Sequence, residues 1–286
     1  MSTPPFLELP SGVEAGRVPT ARGELAALEA RPTDGGGDPR LPVLLVPGFT
    51  GSKEDFIAVL APIAAAGHRV LAIDPSGQYE SPGDADPTSY DVKALAEDLL
   101  SVVRHLGEPT HLLGHSFGGL VARAAALTDP GALASLTLLS SGPAAIPHPS
   151  SSNLELILQA LPVMDLEAIW TAKRQLERPT EVDPPTPEIE DFLHRRFVAN
   201  SPTAMLRHAE QLLSEADHVD ELAGLELQVL VAYGPDDDAW PAAVQGEMAR
   251  RLGARVAVID GAGHSPAAQQ PEATAAALLE FWSSVG

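Results

Sequence analysis

Short, continuous apolar runs alternate along the chain with longer stretches in which apolar residues recur every three or four positions. Val43–Val46 leads into Ser52–Ala66, Val70–Ile73 is followed by Tyr90–Leu106, and Leu112–Gly114 by Phe117–Leu127. Leu136–Leu139 opens onto a long irregular region, after which Val229–Ala232 precedes Pro241–Leu252 and Val256–Ile259 precedes Pro266–Trp282. Apolar runs without polar alternation predict strands buried on both faces, and amphipathic helices between them predict a parallel sheet covered on two sides. Gly23–Glu29 predicts an outer strand, joined to the first buried one by the loop Asp34-Gly-Gly-Gly-Asp-Pro39. Turn-forming pairs stand where strands should end, at Pro47-Gly48, Asp74-Pro75, Gly142-Pro143 and Gly234-Pro235. The expected fold class is α/β, a mostly parallel, doubly wound sheet of about eight strands.

The alternation breaks once. Between Gly142 and Asp220 no strand-like run occurs, only helical patches at Leu154–Leu161, Leu166–Leu176, Ile189–Val198 and Ala204–Leu213, and a Pro-rich hinge, Asp183-Pro-Pro-Thr-Pro187. Open α/β sheets bind ligands at the carboxyl ends of their strands. An all-helical insertion after the sixth strand is therefore expected to be a cap over a ligand crevice. The expected organisation is a core of residues 1–142 and 221–286 and a cap of residues 143–220.

Composition narrows the partners. The 286 residues are 44% hydrophobic and 20% charged, the balance of a globular chain with a sizeable core. With 39 acidic and 18 basic residues the net charge is −21, which argues against nucleic acid or an anionic membrane as partner, since both require clustered Lys and Arg. Cysteine is absent, which excludes disulfides, thiolate nucleophiles and Cys-held metals. The N-terminus has neither the positive nor the apolar region of a signal peptide. No run approaches the ~18 apolar residues of a membrane span. The expectation is a soluble cytoplasmic protein, monomer or homodimer, that handles a small molecule.

The sharpest motif is Gly114-His115-Ser116-Phe117-Gly118, followed by Gly119. A strand ends at it and a helix begins after it, the strand–turn–helix context of a nucleophile elbow. Ser116 is the candidate nucleophile. A neutral hydroxyl needs a base within hydrogen-bond reach, and nine His are available. His115 is expected to point into the sheet packing; His68 and His111 start strands, His105 is on a helix, and His148, His194, His208 and His218 lie in or near the cap. His264 stands in the Gly-rich loop Asp260-Gly-Ala-Gly-His264 just past the last strand, where a base could reach back to the elbow. The base needs a carboxylate to hold its tautomer. Gly234-Pro-Asp-Asp-Asp238 follows the preceding strand, and position leaves three acids open: Asp237 first, then Asp236, then Asp238. Two backbone donors complete such a site, the N–H of Phe117 after the nucleophile and that of Phe49 in the loop Val46–Ser52. No metal or organic cofactor is required.

These motifs, in this order, resemble the α/β-hydrolase superfamily in its cap-bearing branch, over about Leu41 to Trp282. Gly234-x-x-Asp237-x-x-x-Pro241 is similar to the family's acid motif and favours Asp237; Gly263-His264 is similar to its base motif. Pro47-Gly48-Phe49 resembles an oxyanion loop that more often begins His-Gly. Asp74-Pro-Ser-Gly-Gln-Tyr-Glu-Ser81 departs from the usual Arg-Gly-x-Gly-x-Ser, which marks the rim near Tyr79 and Glu80 as specialised. The resemblance implies two-step acyl transfer: Ser116 attacks a carbonyl with His264 as base, and water then releases the acid. The expected activity is hydrolysis of a small carboxylic ester. The same triad would also serve C–C bond hydrolysis or cofactor-free perhydrolysis, and the fold could serve as a non-catalytic receptor.

Overall fold

The computed structural model describes residues 1–32, 40–176 and 185–285. Its frame is one eight-stranded sheet. The strands are β1 (Val13–Thr20), β2 (Gly23–Ala30), β3 (Arg40–Val46), β4 (His68–Ile73), β5 (Thr110–His115), β6 (Leu133–Leu139), β7 (Val229–Tyr233) and β8 (Arg255–Val258). Their order across the sheet is β1-β2-β4-β3-β5-β6-β7-β8. From β4 onwards neighbours are parallel, while β2 runs antiparallel to both β1 and β4. The expected fold class is thus borne out. β1 was not foreseen: its sequence VEAGRVPT buries only Val13 and Val18, so it lacks the continuous apolar run of an inner strand.

Helices cover both faces. On one side α2 (Val92–Leu106), α3 (Phe117–Thr128) and α9 (Ala242–Leu252) pack Leu99, Leu120, Val121 and Met248 against Leu44, Leu112, Leu136 and Val231. On the other, α1 (Ile57–Ala65) and α11 (Pro271–Trp282) bury Leu60, Ile63, Leu278 and Phe281 against Leu45, Val70, Leu113 and Leu230. Leu44 and Leu45, adjacent on β3, serve opposite faces, as the strand's two-residue period requires. The stretch expected to be one helix from Pro266 to Trp282 is two, α10 (Pro266–Gln269) and α11, because Pro271 has no N–H to continue the first.

Between β6 and β7 come α4 (Ser152–Ala160), α5 (Leu166–Leu176), α6 (Pro187–Val198), α7 (Pro202–Ser214) and the short α8 (Val219–Ala223). Of the expected Pro-rich hinge, residues 183 and 184 lie outside the described residues, as does the loop Asp34–Pro39. Thr186 and Pro187 open α6 instead. The Thr186 hydroxyl accepts from the N–H of Ile189, and Ser201 caps α7 through Ala204, each with Pro at the first helical position. Leu166, Ile169, Trp170, Phe192, Leu193, Phe197 and Met205 form an apolar cluster apart from the two that flank the sheet.

Two of these helices are tied firmly to the sheet domain. Arg196 of α6, fully buried, donates to Asp55 at 2.6 Å and to the backbone oxygen of Ser2 at 2.6 Å. Gln211 of α7 accepts from the N–H of Val92 at 2.6 Å and donates to the oxygen of Tyr90 at 2.9 Å.

Candidate active site

The turn after β5 is tight for a steric reason. A Cβ on Gly114 would stand 2.2 Å from the oxygen of Gly118, so only glycine lets the strand fold back onto the first turn of α3. Ser116 sits at the apex with φ +54° and ψ −120°, a conformation rare outside glycine and typical of residues held in strain at functional sites. Its N–H donates to the oxygen of Leu139 at 2.9 Å, pinning the apex to β6. The side chain is turned to the carboxyl ends of the strands and is 6% exposed.

His264 reaches it from the loop after β8. Its Nε2 lies 2.9 Å from Ser116 Oγ, and its Nδ1 lies 2.8 Å from Asp237 Oδ1. Of the three adjacent acids it is therefore Asp237 that faces the imidazole; Asp236 and Asp238 are exposed. Asp237 Oδ1 also accepts from the N–H groups of Ala239 at 2.9 Å and Trp240 at 3.3 Å, and Oδ2 from Gln245 Nε2 at 2.9 Å. Burial alone would raise the Asp237 carboxyl, but the bonds from His264, Ala239 and Gln245 outweigh it and hold the group below its usual range. The carboxylate stays charged, and its Nδ1–H bond leaves the Nε2 lone pair of His264 free to accept from Ser116.

The loop after β3 closes over this constellation. Gly48 approaches so closely that a Cβ there would meet Ser116 Cβ at 2.8 Å and Oγ at 3.3 Å. Phe49 lines the same cavity as Ser116. Phe117 is the first residue of α3, so its N–H has no partner within the helix. Phe49 thus shares the cavity with Ser116, and Phe117 follows Ser116 in the chain.

Three supporting side chains escaped the sequence reading. Gln78 is 1% exposed, and its Nε2 donates to the oxygens of Gly48 at 3.0 Å and Gly51 at 2.9 Å, clamping both ends of the Phe49–Thr50 segment. Because both partners are carbonyls, only the NH2 end of the amide can face them. The signal was the departure at Asp74–Ser81, which drew attention to Tyr79 and Glu80 instead. Those two serve an internal ion cluster: the buried Lys53 Nζ lies 2.9 Å from Asp74, 2.9 Å from Glu54 and 2.6 Å from Glu80, and 4.7 Å from the Tyr79 ring centre. Burial opposes the charge on Lys53, yet Asp74 and Glu54 more than offset it and raise its pKa. His115 does not simply fill the sheet packing; its Nε2 donates to the backbone oxygen of His264 at 2.7 Å and so holds the base loop. Burial, and the neighbouring His264, push the His115 imidazole down to about 3, so it is neutral. Gln245, the third, fastens Asp237.

The cavity above Ser116 measures about 310 Å³. Gly48, Phe49, Asp238 and His264 line it together with Leu154 and Ile157 of α4 and Leu212 of α7. Asp237, Asp238 and His264 offer three ligand atoms within 4.8 Å of one another, the cluster best placed among the described residues for a cation. A cation there would compete with the Asp237–His264 hydrogen bond.

Residues 43–277 match the model of the alpha/beta hydrolase family. The chain is 30% identical over 220 residues to the pimeloyl-acyl-carrier-protein methyl ester esterase of Aeromonas hydrophila, spanning 74% of this chain and 84% of that one. It is 28% identical over 261 residues to a non-heme haloperoxidase of Rhodococcus erythropolis, spanning 85% and 92%. Among solved structures, a thermophilic esterase from Thermogutta terrifontis superposes with a TM-score of 0.76 at 25% identity, over 95% of this chain and 99% of that one. Since the family match runs from β3 into α11, most of the chain, the chain belongs to the alpha/beta hydrolase family.

Proposed function

We propose that the protein is a serine hydrolase that cleaves a small carboxylic ester through an acyl-enzyme on Ser116. The observation that carries this reading is the unbroken relay from Ser116 Oγ through His264 to Asp237, with links of 2.9 and 2.8 Å. His264 takes the hydroxyl proton as Ser116 Oγ attacks the ester carbonyl, and Asp237 offsets the imidazolium charge. The oxyanion accepts hydrogen bonds from the N–H groups of Phe49 and Phe117, with the positive end of α3 behind the second. His264 returns the proton to the leaving alcohol. It then activates a water that attacks the acyl carbonyl, releasing the acid and restoring Ser116.

In this reading residues 143–220 are a cap whose helices roof the cavity and keep bulk water from the acyl-enzyme. The enzyme is cytoplasmic, acts as a monomer or homodimer and needs no cofactor. Among the described residues no helix is long and apolar enough to cross a membrane.

A second reading keeps the triad and changes the nucleophile that resolves the acyl-enzyme, from water to hydrogen peroxide. The likeness to a non-heme haloperoxidase favours it over C–C bond hydrolysis or a receptor without turnover. The test is turnover of p-nitrophenyl acetate by the wild type and by Ser116→Ala. Loss of turnover in the variant supports the nucleophile, and equal turnover refutes it. Peracid formation from acetate and peroxide, faster than ester hydrolysis, would favour the second reading.

A further inference from the structure

The cavity over Ser116 adjoins a second one. Asn153 and Ile157 of α4 and Lys173 of α5 line it, and the same three residues line a second cavity of about 410 Å³ between α4 and α5. Beyond that shared neck the walls are aliphatic: Leu156, Ala160, Met164, Ile169, Ala172 and Leu176. Three of these large side chains stay open to solvent, Leu156 at 53%, Met164 at 38% and Leu176 at 73% exposure. On a chain of net charge −21, large apolar groups left wet around a groove mark a surface that gains from being covered. The wall it shares with the Ser116 cavity suggests by what: something whose other end lies at Ser116.

We propose that the α4–α5 groove holds the unbranched apolar chain of the substrate, so that the preferred substrates are long-chain esters whose carbonyl lies at Ser116. The inference rests on Ser116 as nucleophile for the reaction, although not for the binding. An ester of the Ser116 cavity alone has about 310 Å³ to fill, whereas in this proposal a longer chain passes Ile157 and gains about 410 Å³ more, walled by apolar side chains beyond Asn153 and Lys173. Each methylene moved from water into such a groove is worth roughly a three- to fourfold gain in affinity. That gain appears in kcat/KM because the same contacts persist in the transition state. Among the described residues the groove beyond Asn153 and Lys173 is lined by flexible apolar side chains, which suits a flexible chain better than a ring.

Two substrate series separate the chain's position in the ester: p-nitrophenyl acetate to decanoate, and the acetates of ethanol to decanol. In one of them kcat/KM should rise three- to fourfold per methylene until the groove is full. Ala160→Trp and Ala172→Trp fill the groove from residues that do not line the Ser116 cavity. Each should leave the acetate within twofold and cost the longest substrate tenfold or more. A flat or falling profile in both series overturns the proposal, as does an unchanged profile in both folded Trp variants. Binding of decanoate to Ser116→Ala, measured by calorimetry, reads the groove without the reaction. At least tenfold weaker binding after adding Ala172→Trp supports the groove, and no change overturns it. Esters left intact by a protein that still shows this binding difference would refute the nucleophile and leave the groove standing.

Discussion

At the scale of the residue, the candidate site divides into groups that chemistry forces and groups that folding supplies. A hydroxyl nucleophile, an imidazole and a carboxylate are each nearly the only side chain for the tasks proposed, so a motif, a loop and a chain order point to Ser116, His264 and Asp237, which the fold brings together. Gln78, His115 and Gln245 are different. Each acts through which backbone or side-chain atom it happens to face, and those atoms come from distant segments, so no spacing announces them. Two predictions belong here. Asp237→Asn keeps a similar shape but offers His264 the wrong hydrogen-bond partner, and should lower kcat about 10³- to 10⁴-fold with little loss of fold, as steady-state kinetics and circular dichroism will show. Gln78→Leu removes both donors to the Phe49 loop while conserving volume. It should lower kcat about 10- to 100-fold with KM within twofold, and weaken a trifluoromethyl ketone inhibitor in step, because only the oxyanion complex uses that loop. If KM rises and inhibitor affinity holds, Gln78 supports the loop without aligning it.

Elements were legible where one interaction dominates. Inner strands announce themselves because both faces are buried, and the strand–elbow–helix around Ser116 because its glycines are sterically obligatory. β1 was invisible for the opposite reason: with one partner strand and six of its eight residues outside the core, it is held by backbone pairing that any sequence can make. The helices between β6 and β7 were legible one by one, but their attachment was not. It depends on Arg196, which reads as a surface charge in α6 and is fully buried against Asp55. Arg196→Met should destabilise the protein by about 3–5 kcal/mol in urea unfolding, since it strands a buried carboxylate. Adding Asp55→Leu should recover most of that loss. A single variant within 0.5 kcal/mol of wild type would show that the pair does not hold α6 to the sheet domain.

For the whole molecule, the net charge of −21 says little about chemistry and more about solubility, and the buried histidines say more about pH than the acids do. Burial pushes His111 down to about 4 and His115 and His208 to about 3, whereas the unfolded chain titrates near 6.5. The folded state therefore binds fewer protons than the unfolded one across that interval. Stability is fully present above pH 6.5 and falls as the pH drops towards 4. Burial raises Asp55 and Asp74 in the folded state, which works the other way and reduces the net difference. Urea melts between pH 6 and 4.5 should show stability falling as the pH drops. Stability that rises on acidification over that range would refute the neutral assignment of these imidazoles.

The central claim is that Ser116 is a nucleophile activated by His264. Its most direct test is covalent labelling with a fluorophosphonate, followed by mass spectrometry of the intact and digested protein. The protein should take one adduct per chain, located on Ser116, absent in Ser116→Ala and slowed at least 100-fold in His264→Ala. A folded wild type that takes up no label, or label found on another residue, would contradict it.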